Sequence, residues 1–249
     1  MIDFHTHILH RIDDGPRKLE ESVSLLKNIY ENGTDVAVLT SHFYPRDQER
    51  FDEFIDRRKR RYDELKLNCL GCSVPKLVLG AEVNIHTDFS KFDNIRELCI
   101  EGTDYMLLEM PAKKWEEWMF DCIHNLKLKG IKPIMAHIDR YLDFNKRDLE
   151  ALDDLKPLYQ VNADAFLIRG GMKKMLDLFY SDRLHVIGSD MHDGKIRKNN
   201  LPDAYIKIEE KFGEEFVSMI ENNGDAILTG NEVKRNVKLP KIKKRGFLF

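Results

Sequence analysis

The chain begins with Met1-Ile2-Asp3-Phe4-His5-Thr6-His7, a β-prone run that ends in two histidines separated by a single residue. Side chains alternate along a strand, so His5 and His7 are expected to point to the same face, about 6–7 Å apart. Two imidazoles in this arrangement can bind one metal ion. Histidines held by ordinary hydrogen bonds show the same spacing, so the rest of the sequence has to decide between the two interpretations.

Short apolar runs alternate with longer helix-like segments along the whole chain. The predicted strands are residues 1–4, 36–40, 76–83, 105–110, 132–136, 159–162 and 185–188. Several are continuously apolar, as in parallel strands covered on both faces. Helical periodicity over residues 19–30 and 115–126 ends near Gly33 and Gly130. This order, without a Pro/Gly/Ser-rich linker, predicts one domain over residues 1–249 and an α/β fold, a distorted TIM-like (β/α)7 barrel, with an open doubly wound sheet as the alternative.

The composition excludes several classes of protein. With 40 Lys+Arg against 43 Asp+Glu and a net charge of -3, the chain has no overall attraction for nucleic acid. No apolar run approaches the roughly 18 residues of a membrane span, and the chain does not open like a signal peptide. Four cysteines are too few for a disulfide scaffold. We therefore expect a cytoplasmic protein with reduced thiols.

Residue types that bind metals recur at the carboxyl ends of the predicted strands. In a parallel barrel these ends converge on one mouth, where barrel enzymes keep their chemistry. The Asp13-Asp14-Gly15 turn adds a carboxylate after the first strand, with Asp14 as a candidate ligand and Asp13 in a supporting role. The candidate ligands are His5, His7, Asp14, His42, Glu82, Glu109, His137, Asp190 and His192. This set is too large for one ion and fits two or three, and its nitrogen and oxygen donors favour Mn, Fe or Zn.

Two arginines follow candidate ligands closely. Arg140 lies three residues after His137, and Arg197 lies five residues after His192. Together with divalent ions they would make the mouth strongly positive, and the guanidinium fork matches the geometry of a phosphate. The sequence therefore predicts a phosphate site with Arg140 and Arg197 as catalytic residues.

A thiol-based phosphatase is excluded by the sequence. Its Cys-x5-Arg loop requires an arginine six positions after a cysteine. The residues six positions after the four cysteines are instead Pro75, Val78, Tyr105 and Leu128.

The sequence around these residues resembles the PHP (polymerase and histidinol phosphatase) superfamily. More narrowly, it resembles the manganese-dependent protein tyrosine phosphatases encoded with bacterial capsule and exopolysaccharide genes. The matching segments are residues 1–9, 12–15, 40–42, 80–82, 108–111, 136–141 and 189–192. The chain departs from the family pattern at His10-Arg11, where Pro-Gly is usual, and at Ser41, where Pro is usual.

The resemblance implies hydrolysis of phosphotyrosine at a trinuclear manganese site. The implied partner is the tyrosine-rich tail of a bacterial tyrosine kinase that regulates polysaccharide synthesis. In one distribution of the ligands that the resemblance implies, the first ion is bound by His5, His7, Glu109 and Asp190. Glu82, Glu109 and His137 would surround the second ion, and Asp14, His42 and His192 the third. Arg140 and Arg197 match positions that hold the phosphate.

Other functions remain open at this point. A histidinol-phosphate phosphatase, or another small-molecule phosphomonoesterase, would use nearly the same metal site. An amidohydrolase would often carry a bridging lysine where this chain has Glu109. A non-catalytic protein that binds a kinase is a fourth interpretation, although it gives no reason for a complete ligand set.

Two basic segments could contact an acidic partner. Residues 57–61 lie within a helical pattern, so most of them should form a solvated face, or else recruit an acidic phosphorylated tail. The second segment, residues 234–245, could contact a partner or an anionic membrane, although packing or a free tail is the simpler expectation.

Overall fold

The computed structural model describes residues 1–141 and 146–234. Most of the second basic segment therefore lies outside the described residues. In the described part the chain forms nine short strands: β1 Ile2–Thr6, β2 Val36–Leu39, β3 His42–Phe43, β4 Lys76–Leu79, β5 Glu82–Asn84, β6 Tyr105–Glu109, β7 Lys132–Met135, β8 Leu158–Asn162 and β9 Val186–Gly188. They pair in the orders β1-β2-β4 and β3-β5-β6-β7-β8-β9, and every pair is parallel.

One predicted strand is interrupted. Residues 76–83 were expected to be continuous, but they form β4 and, after a break, the start of β5. The pairing of β2 with β4 stops at Leu39 and Leu79, and it resumes at His42 and Glu82 as β3 with β5, where β3 is a short strand beyond the predicted range 36–40. At the break the backbone N–H of Glu82 is shared between two carbonyl oxygens, those of Thr40 and Ser41, each at 3.2 Å. The regular pattern of strand hydrogen bonds is interrupted there, and His42 and Glu82 begin the next pair of strands, β3 and β5.

The sheet curls until its last strand reaches its first. Beyond β9, the N–H of Asp190 donates to the carbonyl of His5, and the N–H of His7 donates to that of Met191, both at 2.8 Å. Gly188 makes this approach possible, since a Cβ at this position would lie 2.4 Å from the Cβ of His5. The fold is thus mixed α/β, with a strongly curled parallel sheet.

Apolar side chains of seven strands fill the inside of the curl. They belong to one buried cluster that includes Ile2, Phe4, Val38, Val78, Leu107, Ile134, Leu158 and Val186. A larger cluster lies between the sheet and the helices that cover it. Seven of the nine described strands thus contribute side chains to one shared core.

The helices are α1 Leu19–Glu31, α2 Gln48–Asn68, α3 Glu117–Leu128, α4 Lys146–Asp154, α5 Gly171–Tyr180, α6 Leu201–Phe212 and α7 Glu214–Leu228. The helices predicted before Gly33 and Gly130 are confirmed as α1 and α3. Both glycines have positive φ, 89° and 79°, which a residue with a side chain adopts only with strain. Over residues 1–141 and 146–234, no helix is both long enough and apolar enough to cross a membrane.

Arg58 does not belong to the solvated face expected for residues 57–61. Its side chain is buried, and it donates a 2.7 Å hydrogen bond to the carbonyl of Gly80 and another to the carbonyl of Glu97. Gly80 lies at the break between β4 and β5. Arg58 therefore ties α2 to the bend that redirects the chain toward Glu82.

We expect Arg58→Ala to lower the free energy of unfolding by about 2–4 kcal/mol, because two buried carbonyls lose a charged donor and a cavity remains. Denaturant unfolding followed by circular dichroism measures this change. The neighbouring Arg57→Ala, at an exposed position of the same helix, should stay within about 0.5 kcal/mol of wild type. Equal losses in the two variants would contradict the role given to Arg58.

Candidate metal centre

All nine candidate ligands come together at the mouth formed by the carboxyl ends of the strands. They are supplied by β1 and the loop after it, the starts of β3 and β5, the end of β6, and the residues that follow β7 and β9. The first residues of β3 and β5 belong to this mouth because these two strands begin just beyond the carboxyl ends of β2 and β4. The convergence predicted from strand ends is therefore found in the structure.

Glu82 lies at the centre of this group. Its side chain is fully buried, and its Oε2 lies 3.1 Å from His5 Nε2, 3.2 Å from His7 Nε2 and 2.9 Å from His42 Nδ1. Its Oε1 lies 2.8 Å from His137 Nε2. One carboxylate thus contacts four imidazoles.

The donor atoms form three overlapping groups in which all atoms lie within 4.8 Å of one another: His5, His7 and Asp190; His7, Asp14, His42 and His192; and His42, Glu82 and Glu109. His137 joins the third group through its contacts with Glu82 and, at 3.6 Å, with Glu109. The distribution of ligands implied by the family resemblance placed Glu109 beside His5 and His7. In the structure the glutamate beside these two rings is Glu82, and Asp190 lies beside them as well, at 3.6–3.7 Å.

The histidines are oriented by hydrogen bonds on their outer nitrogens. The Nδ1 atoms of three rings face an oxygen acceptor: His5 faces Gln160 Oε1 at 3.1 Å, His7 faces Asp13 Oδ2 at 2.8 Å, and His192 faces the carbonyl of Asp190 at 3.0 Å. An acceptor at Nδ1 places the proton there and leaves the Nε2 lone pair free. Metal-binding histidines are commonly held in this way.

The interior of the cluster needs positive charge. His5 Nε2 and His7 Nε2 face each other at 2.9 Å. Glu82 Oε2 lies within 3.2 Å of three imidazole nitrogens, but it makes no hydrogen bond of good geometry with any described residue. Burial favours the neutral imidazole, yet Asp13 and Glu82 outweigh it and raise the pKa of His7 to about 10. Burial also disfavours the Glu82 carboxylate, but His5 and its other imidazole neighbours hold the pKa of Glu82 well below its usual value. A divalent cation that accepts nitrogen and oxygen ligands would supply this positive charge in place of the Nε2 proton of His7.

Several polar residues that support the cluster were missed from the sequence. Gln160 accepts the backbone N–H of His137 at 2.7 Å, Asn162 donates to Asp190 Oδ2 at 3.1 Å, and Asn84 donates to Glu109 Oε2 at 2.7 Å. A signal was present for two of them. Gln160 and Asn162 are polar residues two positions apart in a strand, so they face the same side as each other.

Asp13 has the supporting role expected of it. Besides the His7 ring, it accepts the backbone N–H of His42 at 2.8 Å and that of Gly15 at 3.0 Å. Burial alone would favour its neutral form, but these donors and the His7 ring lower the pKa of Asp13 to about 2. Its negative charge therefore holds two candidate ligands in place.

The backbone adopts unfavourable conformations at two candidate ligands. His137 has φ of 33° and Asp190 has φ of 54°, values in which a side chain is strained. Both residues directly follow a strand region at the mouth. Arg11, in the loop after β1, also has a positive φ, 56°.

Two guanidinium groups border the cluster. Arg140 donates to Asp190 Oδ2, and Arg197 donates to Asp190 Oδ1 at 2.6 Å while its Nη1 lies 2.7 Å from His192 Nε2. Burial disfavours the charged carboxylate of Asp190, but the nearby imidazoles and Arg140 hold its pKa well below the ordinary value. The Arg140 and Arg197 side chains are 45% and 34% exposed, so an anion entering from solvent meets both.

The cysteines take no part in this site. All four are free, and burial raises the pKa of Cys99 and Cys122 to about 12, which keeps both as thiols. A nucleophilic thiolate would require the opposite shift.

The protein-family model for capsular polysaccharide synthesis, CpsB/CapC, matches residues 1–229 of the chain. The chain belongs to the CpsB/CapC family. The match begins at the first strand and ends beyond α7, so it includes every residue of the metal cluster and both arginines.

Individual proteins agree with this assignment. The tyrosine-protein phosphatase CpsB of Streptococcus agalactiae is 26% identical over 254 aligned positions, which cover 94% of this chain and 100% of that protein. A crystal structure from work on the metal-dependent tyrosine phosphatases YwqE of Bacillus subtilis and CpsB of Streptococcus pneumoniae superposes with a TM-score of 0.80 at 22% identity. It covers 98% of this chain and 100% of that one. A TatD-family hydrolase from Entamoeba histolytica superposes with a TM-score of 0.56 at 12% identity, over 91% of this chain and 97% of that one.

We expect Asp13→Asn to weaken manganese binding by about 10- to 100-fold. The His7 ring and the backbone N–H groups of Gly15 and His42 share two carboxylate oxygens, whereas the amide of asparagine offers only one acceptor oxygen. Calorimetric titration of metal-stripped protein measures the affinity. Asp56→Asn, at an exposed position of α2, makes the same chemical change away from the site and should bind as wild type does. Unchanged affinity in Asp13→Asn would show that His7 and His42 need no such support.

Proposed function

We propose that this CpsB/CapC-family protein is a metal-dependent protein tyrosine phosphatase. The observation that carries the proposal is the contact of both half-exposed arginines with Asp190, which itself belongs to the buried cluster. A phosphate bound by Arg140 and Arg197 would therefore lie against the metal ligands. The names of its relatives supply the phosphotyrosyl substrate, and the site chemistry agrees with a phosphomonoester.

Each part of the site has a distinct task in this reaction. When bound, divalent ions of this kind lower the pKa of a water molecule toward 7 and offset the charge of phosphoryl oxygens. Arg140 and Arg197 orient the phosphate and neutralise its equatorial oxygens as charge develops. The phenolate leaving group has an ordinary pKa of about 10 and needs little help from a general acid.

The proposal extends to the metal and the ligands. We assign His5, His7, Asp14, His42, Glu82, Glu109, His137, Asp190 and His192 to two or three ions, with Mn favoured and Fe or Zn as alternatives. Glu82 is the better candidate for a bridging carboxylate, because its two oxygens face different imidazoles. The ring orientations support this assignment, as does the buried Glu82 Oε2, which makes no hydrogen bond of good geometry among the described residues.

The architecture and setting complete the proposal. Hydrogen bonds between β1 and the residues after β9 support a closed, distorted (β/α)7 barrel, in which β2 with β3 and β4 with β5 each count as one broken strand. We infer one catalytic domain in the cytoplasm. Its substrate would be the phosphorylated tyrosine-rich tail of a bacterial tyrosine kinase that controls capsule or exopolysaccharide synthesis.

We expect metal-stripped protein to release no phosphate from a phosphotyrosine peptide, and added Mn to restore the activity. His137→Ala and Arg140→Ala should each lower kcat/KM by about 10²–10³-fold, because one loses a candidate ligand and the other a donor to the phosphate. A phosphate-release assay on the peptide and on histidinol phosphate measures both effects.

Matched controls are available at exposed positions. His124→Ala and Arg169→Ala make the same substitutions on the surface and should retain wild-type activity. Activity on histidinol phosphate alone would move the protein to the biosynthetic phosphatases. If metal-loaded protein released no phosphate from either substrate, the phosphatase proposal would be refuted.

The exposed basic face of α2 gives a test of the partner. Arg57, Lys59 and Arg60 point to solvent, so reversing them to glutamate should raise the KM for a phosphorylated acidic tail several-fold through lost attraction. The KM for free phosphotyrosine should not change, because the site is untouched. Steady-state kinetics on the two substrates separates the effects, and an unchanged KM for the tail would rule out recruitment by this face.

A further inference from the structure

Tyr44 stands at the rim of the metal cluster with much of its ring uncovered. It lies two residues after His42, directly beyond β3, and it is 52% exposed. Its ring centroid is 5.4 Å from that of His42 and 6.0 Å from that of His86. Tyr44 thus lies between His42 and His86, and the three neighbouring rings are here called the aromatic wall.

The far end of the aromatic wall is tied to the cluster. His86 Nδ1 faces Asn84 Oδ1 at 3.2 Å, and Asn84 in turn donates to Glu109 Oε2 at 2.7 Å. His42 at the near end faces Glu82 at 2.9 Å. Tyr44 is thus supported on two sides by residues whose positions the cluster fixes.

An uncovered aromatic ring at this place suits an aromatic ligand. Ring pairs are favourable at centroid separations of about 4.5–7 Å, and the outer part of Tyr44 offers such a partner to a third ring. A phosphate held at the arginines and the cluster must carry its ester group outward, toward the rim. For a phosphotyrosyl residue that group is a phenyl ring, whereas for an alkyl phosphate it is a chain with no ring to stack.

We propose that Tyr44, supported by His86, contacts the phenyl ring of the substrate and gives the site its preference for aryl over alkyl phosphomonoesters. The inference rests on the proposed phosphatase function and names the residue that selects its substrate class. Aromatic contact requires the ring of Tyr44 but not its hydroxyl group. Phenylalanine at this position should therefore preserve the preference, and leucine should abolish it.

The test measures binding, so that substrate preference is read separately from turnover. Two peptides of one sequence carry either phosphonomethyl-phenylalanine or an alkyl phosphonate, and fluorescence anisotropy gives the Kd of each for manganese-loaded protein. We expect Tyr44→Leu and Tyr44→Ala to raise the Kd of the aromatic peptide by about 3- to 10-fold. The alkyl peptide should change by less than about 2-fold. His86→Ala should also raise the Kd of the aromatic peptide, but by a smaller factor.

Controls separate substrate contact from support of the metal site. Tyr44→Phe, and Tyr180→Ala at a 64% exposed tyrosine of α5, should bind both peptides as wild type does. Metal content, measured by mass spectrometry, should be unchanged in Tyr44→Leu. An equal loss for both peptides, or a loss of metal, would show that Tyr44 only packs against His42 and would overturn the inference.

The outcomes also distinguish this inference from the proposed function. If wild type prefers the aromatic peptide but never releases phosphate from phosphotyrosine, the phosphatase proposal fails and the aromatic contact stands. If phosphate is released and Tyr44→Leu keeps the preference, the aromatic contact fails alone. Wild-type protein that binds the two peptides equally also overturns it.

Discussion

The structure depends on one buried carboxylate. Glu82 is fully buried, and its oxygens face four imidazole nitrogens, two from β1 and its end, one from β3 and one from the end of β7. An isolated carboxylate in such a place would cost many kcal/mol unless positive charge surrounds it. The neighbouring rings, the arginines at the rim and the outer hydrogen bonds all serve this requirement. The centre of the fold thus requires positive charge around this carboxylate.

Much of this organisation could be predicted from the sequence, because it follows from periodicity and from direction. Parallel strands bring their carboxyl ends together, so ligand-type residues at successive ends had to converge. The stops of α1 and α3 were also readable, since Gly33 and Gly130 occupy backbone conformations that favour glycine.

The remainder depends on tertiary contacts that no local pattern encodes. Arg58 sits in a run of basic residues, and only the bend at Gly80 gives it carbonyls to bind in the interior. The break that divides two strands arises where Glu82 turns toward the cluster, and an apolar run does not show it. The contact of Glu82 rather than Glu109 with His5 and His7 depends on which side of the mouth each strand end reaches.

Gly188 has a consequence for how the protein is made. By letting β9 lie against β1, it joins parts of the chain that are far apart, as in the hydrogen bond between Ser189 and Asp3, which are separated by 186 positions. Chains emerge from the ribosome N-terminus first, and such distant pairings form late. His5 and His7 are therefore synthesised long before Asp190 and His192, which complete the cluster around them. A chain that ends before residue 190 lacks two of the nine candidate ligands, so the cluster is complete only after synthesis has passed the last strand.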